Sequence, residues 1–164
     1  MTFALCFIVF LVGQRLLELV IAKRNTKNLL QRGAYEVAGG HYPIIVTVHT
    51  AWIVAIALLG WNNEIVYPAL LAYAFLQGFR LWILLSLGTR WTTRIIVLNE
   101  PLIKQGPYKY LKHPNYVLVV FEIAIAPMVL GLWWVAIIFS VLNAGVLAIR
   151  IPAEERALKS INSH

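Results

Sequence analysis

Charge is scarce in this chain, and acidic charge scarcest: 164 residues carry 7 Asp plus Glu against 14 Lys plus Arg, and only 13% are charged at all. A soluble domain of ordinary make-up carries about 25%, so a free-standing water-soluble domain is excluded. Cysteine occurs once, at Cys6 in an apolar stretch. No intrachain disulfide can form, and the redox compartment is left open. The four histidines and the cysteine have no HxxxH or CxxC spacing, so no metal site is predicted. Gly-rich loops of the dinucleotide or P-loop kind are absent too, which removes the commonest soluble nucleotide-binding designs.

Long apolar runs take their place. Hydrophobic residues make up 60% of the chain and the mean hydropathy is +0.75. Crossing a ~30 Å hydrocarbon core takes about 20 mainly apolar residues in a helix, and the tracts 2–22, 44–60 and 65–87 meet that length. The first tract lacks a basic leader and a small-residue cleavage site and carries Arg15 and Glu18, so it is expected to be a span and not a signal peptide. The tract 116–149 would be about 50 Å long as one helix, and Pro127 and Gly131 interrupt it near the middle. A helical hairpin is therefore expected, giving five spans.

The placement of basic residues supports that count. With five spans, Lys23, Arg24, Lys27 and Arg32, then Arg90, Arg94, Lys104, Lys109 and Lys112, then Arg150, Arg156 and Lys159 all fall on one side, and the opposite loops carry none. Four spans would put the tail on the other side. Cytoplasmic loops collect Lys and Arg, so the expected topology has the N-terminus outside and the C-terminus in the cytoplasm. The basic surplus is thereby a membrane signal, with membrane lipids and no nucleic acid as the expected partners. After the last span a short soluble helix is expected over 152–161, with Pro152 in its first turn and Glu154 and Glu155 near its positive end. The whole chain, 1–164, is expected to form one membrane-embedded unit, an all-α integral membrane protein.

Four charges fall inside the spans: Arg15, Glu18, Arg80 and Glu122. Each costs about 2.5–3.5 kcal/mol near a helix centre, so they need partners. Arg15–Glu18, three residues apart, and Arg80–Glu122 can serve as structural ion pairs, or the four can line a polar cavity. His49 in the second span and His41 just before it can be packing residues or proton acceptors.

Residues 106–116 read Gly-Pro-Tyr-Lys-Tyr-Leu-Lys-His-Pro-Asn-Tyr, immediately before an apolar helix. Ahead of them, 89–98 is β-branched and predicted extended, and Asn99-Glu100-Pro101 is a turn. Gly106-Pro107 makes another turn, and His113-Pro114 starts the helix. A helix start favours anionic groups, and tyrosine rings can stack on a planar base or face a cation. A ligand with a carboxylate, a purine and a positive centre would use all of these features, and S-adenosyl-L-methionine is one. An aromatic belt with lysine anchors uses the same residues, and composition does not choose.

This run, together with Arg150, Pro152, Glu154 and Glu155 after a hydrophobic hairpin, resembles the isoprenylcysteine carboxyl methyltransferase family. The Gln-Arg-Leu-x-Glu-Leu stretch at 14–19, His41-Tyr42-Pro43 and Arg90-Trp91-Thr92-Thr93-Arg94 are similar to its small bacterial members, some of which O-methylate alkylpyrones or alkylresorcinols. The resemblance covers nearly the whole chain. It implies a methyltransferase of the bacterial inner membrane that moves a methyl group from S-adenosyl-L-methionine to an oxygen of a lipophilic acceptor, either a phenolic or pyrone hydroxyl or a prenylcysteine-type carboxylate. It puts the cofactor on Glu100, Pro101, Leu102 and Ile103 (mainly their backbone), Tyr108, His113, Pro114, Asn115, Tyr116 and Glu154. It makes Arg150 and Glu154 the catalytic pair, with Arg150 on the acceptor side. If the acceptor is a phenol, His41, His49 and Glu122 are the candidates to take its proton. Lys109 and Lys112 replace arginines common in the motif, and Leu118 stands where many members have Gly. The His-Pro motif is shared with phospholipid N-methyltransferases and membrane sterol reductases. Amine methylation, a nicotinamide-dependent reductase and a non-catalytic membrane subunit are therefore the alternatives. A homodimer is compatible with so small a bundle.

Overall fold

The computed structural model describes residues 2–161, and side chains as far as residue 158; the side chain of Lys159, one of the residues counted for sidedness, lies outside that range. Among the described residues, five α-helices and two short strands follow one another, with short 3-10 turns between them: α1 (Thr2–Gln31), β1 (Tyr35–Val37), α2 (Tyr42–Gly60), α3 (Tyr67–Leu87), β2 (Ile95–Val97), α4 (Pro114–Met128) and α5 (Trp133–Ile161). The protein is an all-α membrane protein. Four of its helices (α1, α2, α3 and α5) are long and apolar enough to cross a bilayer. Large apolar side chains such as Phe75 and Trp134 stand exposed on the outside of the bundle, an arrangement that suits lipid and not water.

The expected fifth passage is α4, and it is short. Its 15 residues reach about 22 Å, less than a ~30 Å core requires. Proline at each end limits it: Pro114 opens the first turn and Pro127 closes the last. The expected hairpin break is present. The amides of Leu130 and Leu132 both donate to Pro127 O, and Gly131 takes φ +67° to reverse the chain, a conformation that costs any residue with a Cβ. One face of α4 packs into the bundle, with Leu118, Glu122, Ile123 and Ala126 fully buried, while Val117, Val120 and Phe121 stay exposed on the other.

Two expectations about helix ends are corrected. The α1 helix runs on to Gln31, well past residue 22. The segment 152–161 is helical but is not a separate element, because α5 continues through Pro152 without a break. Packing explains that continuation: Ala153 and Ala157 bury against Ile95 and Val97 of β2. Of the segment expected to be extended, 89–98, only Ile95–Val97 forms a strand, β2, paired antiparallel to β1 with Glu36 opposite Ile96, while Thr89 and Arg90 lie in a 3-10 turn. Three ion pairs fasten this end: Arg94–Glu36 at 2.8 Å, Arg32–Glu100 at 2.5 Å, and Arg90–Glu100. Slight burial pushes the Glu100 carboxyl up, but Arg32 and Arg90 outweigh it and hold the group below the usual carboxylate range. Its stabilising contribution is therefore present above the unfolded pKa and is lost only as pH falls through the lowered one.

Two turns meet at the opposite end of the bundle. Val66 N donates to Val129 O at 2.8 Å and Asn63 Nδ2 to Leu130 O at 2.8 Å. Between the ends, the two expected ion pairs exist but are joined into one network. Arg15 pairs with Glu18 at 3.0 Å and with Glu122 at 2.8 Å, while Arg80 pairs with Glu18 at 3.0 Å and with Glu122. Gln14 and Gln77 donate to the same two carboxylates. Positive and negative charges balance, and α1, α3 and α4 are tied together at one level.

At the other end, Gly106 takes φ +58°, and a Cβ there would lie 2.0 Å from Ser86 Oγ and 3.1 Å from Trp82 Nε1. That close approach seats the loop on α3, where Gln105 Nε2 donates to Ser86 O at 3.1 Å.

Glu122→Gln would leave two guanidiniums sharing one carboxylate, and removing one partner of a buried pair costs about 3–5 kcal/mol. Thermal unfolding in detergent should show a correspondingly large drop in midpoint, and an unchanged midpoint would contradict the structural role. Gly106→Ala should loosen the loop after β2, read as faster tryptic cleavage at Lys104, Lys109 and Lys112 than in the parent protein.

Candidate functional site

The loop between α3 and α4 is built around Trp91. Asn25, buried on α1, donates through Nδ2 to Trp91 O at 2.9 Å and to Gly88 O at 3.2 Å. The Trp91 ring is buried with Ala22, Leu76, Ile83 and Leu118, and its Nε1 has no hydrogen-bond partner among the described residues. Cavities lie on both sides of it.

The polar cavity, of about 390 Å³, is bordered by Glu100, Leu102, Ile103, Tyr108, His113 and Glu154, among others. Burial, with help from Glu154, pushes the Tyr108 hydroxyl up in pKa, so it stays protonated and able to donate. His113 precedes the first turn of α4, its ring 5.5 Å from that of Tyr116. Its Nε2 lies 3.3 Å from Glu155, which also pairs with Lys112 at 2.5 Å. The second cavity, of about 160 Å³, reaches into the bundle between α2, α4 and α5 and is bordered by Ile45, Val46, His49, Ile53, Asn143 and Leu147, with Arg15 and Glu18 of α1 and Arg80 of α3 also at its border.

The two cavities share Trp91, Thr92, Asn115, Tyr116 and Arg150. Arg150 and Glu154 lie one turn apart on α5 but do not bond directly. Arg150 Nε donates to the Tyr116 hydroxyl at 2.9 Å, and that hydroxyl donates to Glu154 Oε2. Arg150 Nη2 donates to Thr93 O at 2.5 Å. These bonds leave Nη1 unused and fix the guanidinium at the junction. Chemically, one chamber offers carboxylates, aromatic rings and loop backbone to a polar ligand. The other offers an apolar slot with a few polar groups.

Of the residues the sequence singled out, Glu100, Leu102, Ile103, Tyr108, His113, Asn115, Tyr116 and Glu154 border the polar cavity together, and Arg150 borders both. Pro101 and Pro114 do not border it. Pro101 O instead accepts from Arg90 Nη1 at 2.7 Å, and Pro114 is buried at the start of α4. His49 borders the apolar cavity. His41 borders only a separate recess of about 10 Å³. Glu122 borders none of these cavities and is held in the ion network. Sequence reasoning missed Trp91, Thr92 and Asn143 as lining residues. The signal for Asn143 was its strong polarity in the stretch 133–149, where Ser140 is the other polar residue.

Comparison with known proteins follows the same lines. Residues 69–160 match the isoprenylcysteine carboxyl methyltransferase (ICMT) family. The Bacillus subtilis (strain 168) protein YpbQ, itself uncharacterized, is 35% identical over 158 residues, covering 93% of this chain and 94% of YpbQ. An uncharacterized protein of Haemophilus influenzae (strain ATCC 51907 / DSM 11121 / KW20 / Rd) is 27% identical over 161 residues, covering 90% of each chain. No solved structure matches. The match takes in nearly all of α3 and α5, the Trp91 loop and, Leu29 apart, the residues that border the polar cavity, so the chain belongs to the isoprenylcysteine carboxyl methyltransferase family of membrane methyltransferases that act on lipophilic substrates.

Proposed function

We propose that this protein transfers a methyl group from S-adenosyl-L-methionine to an oxygen of a lipophilic acceptor, a phenolic or pyrone-type hydroxyl or a prenylcysteine-type carboxylate. The observation that carries the reading is the shared wall: a polar chamber at the loop end of the bundle and an apolar chamber inside it meet at Trp91, Asn115, Tyr116 and Arg150. A reaction between a charged nucleotide and a greasy acceptor needs two such chambers with one common boundary.

The residues present fit the nucleotide. Glu154 supplies negative charge for its cationic centre, Tyr108 and Tyr116 supply ring faces, and the unpartnered Trp91 Nε1 is a donor with nothing yet to bind. Backbone around Glu100, Leu102 and Ile103, and the start of α4 at His113 and Asn115, would hold the remaining polar groups. Bound there, the cofactor supplies an electrophilic methyl group. The protein's own work is positioning. Arg150 orients the acceptor oxygen, Tyr116 locks Arg150 to Glu154, and the apolar slot excludes water from the acceptor.

The one-sided distribution of Lys and Arg supports an N-terminus outside and a C-terminus in the cytoplasm, which gives the polar chamber access to cytosolic nucleotide. The acceptor tail would enter from the lipid side. The apolar exterior of the bundle agrees with that route.

Arg150→Ala should lower turnover at least about 100-fold while S-adenosylhomocysteine binding, read by calorimetry, stays within about threefold of the parent. Loss of nucleotide binding in this variant would contradict an acceptor-side role. Glu154→Gln should do the reverse and weaken that binding about tenfold or more, the scale of a lost charge-assisted hydrogen bond. Phosphatase fused to the C-terminus should be inactive and a fluorescent protein there bright; the opposite pattern would remove the chamber from the cytosol.

A further inference from the structure

The apolar cavity holds polar groups that the reading so far leaves idle. His49 projects from α2 at its border, and its Nδ1 lies 2.9 Å from Ile45 O, one turn back on the same helix. A carbonyl oxygen can only accept, so Nδ1 carries the proton, and the neutral ring leaves a lone pair on Nε2. Asn143 on α5 borders the same cavity at 2% exposure, and its Oδ1 has no hydrogen-bond partner among the described residues. Buried acceptors without donors are costly. These two groups therefore call for a ligand that brings hydrogen.

The other candidate bases are engaged or elsewhere. Both oxygens of Glu122 are taken, Oε1 by Gln77 and Arg80 and Oε2 by Arg15 and Arg80. Glu18 borders the cavity, but it accepts from Gln14 and pairs with Arg15 and Arg80. Glu154 borders only the polar chamber and receives the Tyr116 hydroxyl. His41 faces its own small recess. The charged and titratable groups around His49 are Tyr42 on its own helix, Arg15 and Glu18 on α1, Arg80 on α3, Tyr116 on α4 and Arg150 on α5. Arg15 and Arg80 are ion-paired with Glu18 and Glu122, and Arg150, with Nη1 unused, is placed to face an oxyanion.

We propose, building on the methyl-transfer reading, that His49 is the catalytic base and that the acceptor is a weakly acidic hydroxyl and not a carboxylate. An ionised carboxylate has no proton to give to Nε2. A phenol or enol has one. The acceptor O–H bond breaks, the proton goes to Nε2 to give an imidazolium, and the electron pair stays on oxygen beside Arg150. That pair forms the bond to the methyl carbon, and the pair of the former carbon–sulfur bond stays on sulfur, turning the sulfonium donor into a thioether. The imidazolium then returns its proton to water.

The test uses the full-length protein in detergent without any nucleotide, with a 2-nitrophenol bearing an alkyl chain as probe. Phenolate absorbance of the bound probe is followed against pH in the parent protein and in His49→Gln. The expected result is an apparent probe pKa lower by about one unit or more in the parent, and coincident curves would overturn the proposal. Turnover gives a second readout. His49→Gln should cost roughly 100-fold or more with an unactivated alkylphenol but less than about threefold with the nitrophenol at a pH high enough that it is ionised before binding. Equal losses on both would mean a structural role and would also overturn it. If the parent protein fails to bind S-adenosylhomocysteine, the methyl-transfer reading falls on its own account, and the absorbance comparison still reports proton transfer to His49.

Discussion

Two carboxylates and two guanidiniums buried at mid-bundle hold this protein together. Glu122 on the short central helix and Glu18 on α1 are shared by Arg15 and Arg80. In lipid, no water is available to solvate an unpaired charge, so the four groups stabilise an arrangement of α1, α3 and α4 that satisfies all of them. That requirement explains how a helix too short to cross the membrane keeps its place inside the bundle. It also fixes the start of α4, and with it His113, Asn115 and Tyr116, at the depth where Arg150 of α5 can reach the Tyr116 hydroxyl.

A second constraint works at the loop end. Trp91 is held from below by Asn25, and the β1–β2 pair gives the last turns of α5 a surface to pack on. Glu154 is therefore carried on a helix braced at both ends, not on a mobile tail. The site is assembled from a loop, the beginning of one helix and the end of another, each positioned by contacts outside the site. Such an arrangement favours a preorganised pocket, in which binding energy is not spent on ordering the chain.

Much of this was legible in the sequence because membranes restrict what a chain can do. Pro127 and Gly131 announced the hairpin, the basic loops announced which helix ends lie together, and the run at 106–116 pointed to the polar chamber. Helix lengths were less legible. Hydropathy marks where lipid contact ends, not where the helix ends, so α1 passed residue 22 and α5 passed Pro152 on the strength of packing that no local pattern records. The ion pairs were foreseen as two separate bonds because a spacing of three residues is visible, whereas the pairing of Arg15 with Glu122 spans 107 positions and depends on the fold. Asn143 and Trp91 were missed for a related reason. Each is ordinary in its own helix or loop and acquires meaning only from what the bundle brings opposite it.

Membership in a methyltransferase family narrows the chemistry, and under the function proposed above one chamber would take the charged nucleotide, the other the apolar acceptor, with a wall that belongs to both. An experimental structure of the protein with S-adenosylhomocysteine bound tests that division most directly. The account predicts the nucleotide between Glu100, Tyr108 and Glu154, with its sulfur turned toward Tyr116 and Arg150 and the slot beside His49 left free. A nucleotide seated in the slot beside His49, or anywhere away from the Trp91 wall, would contradict it.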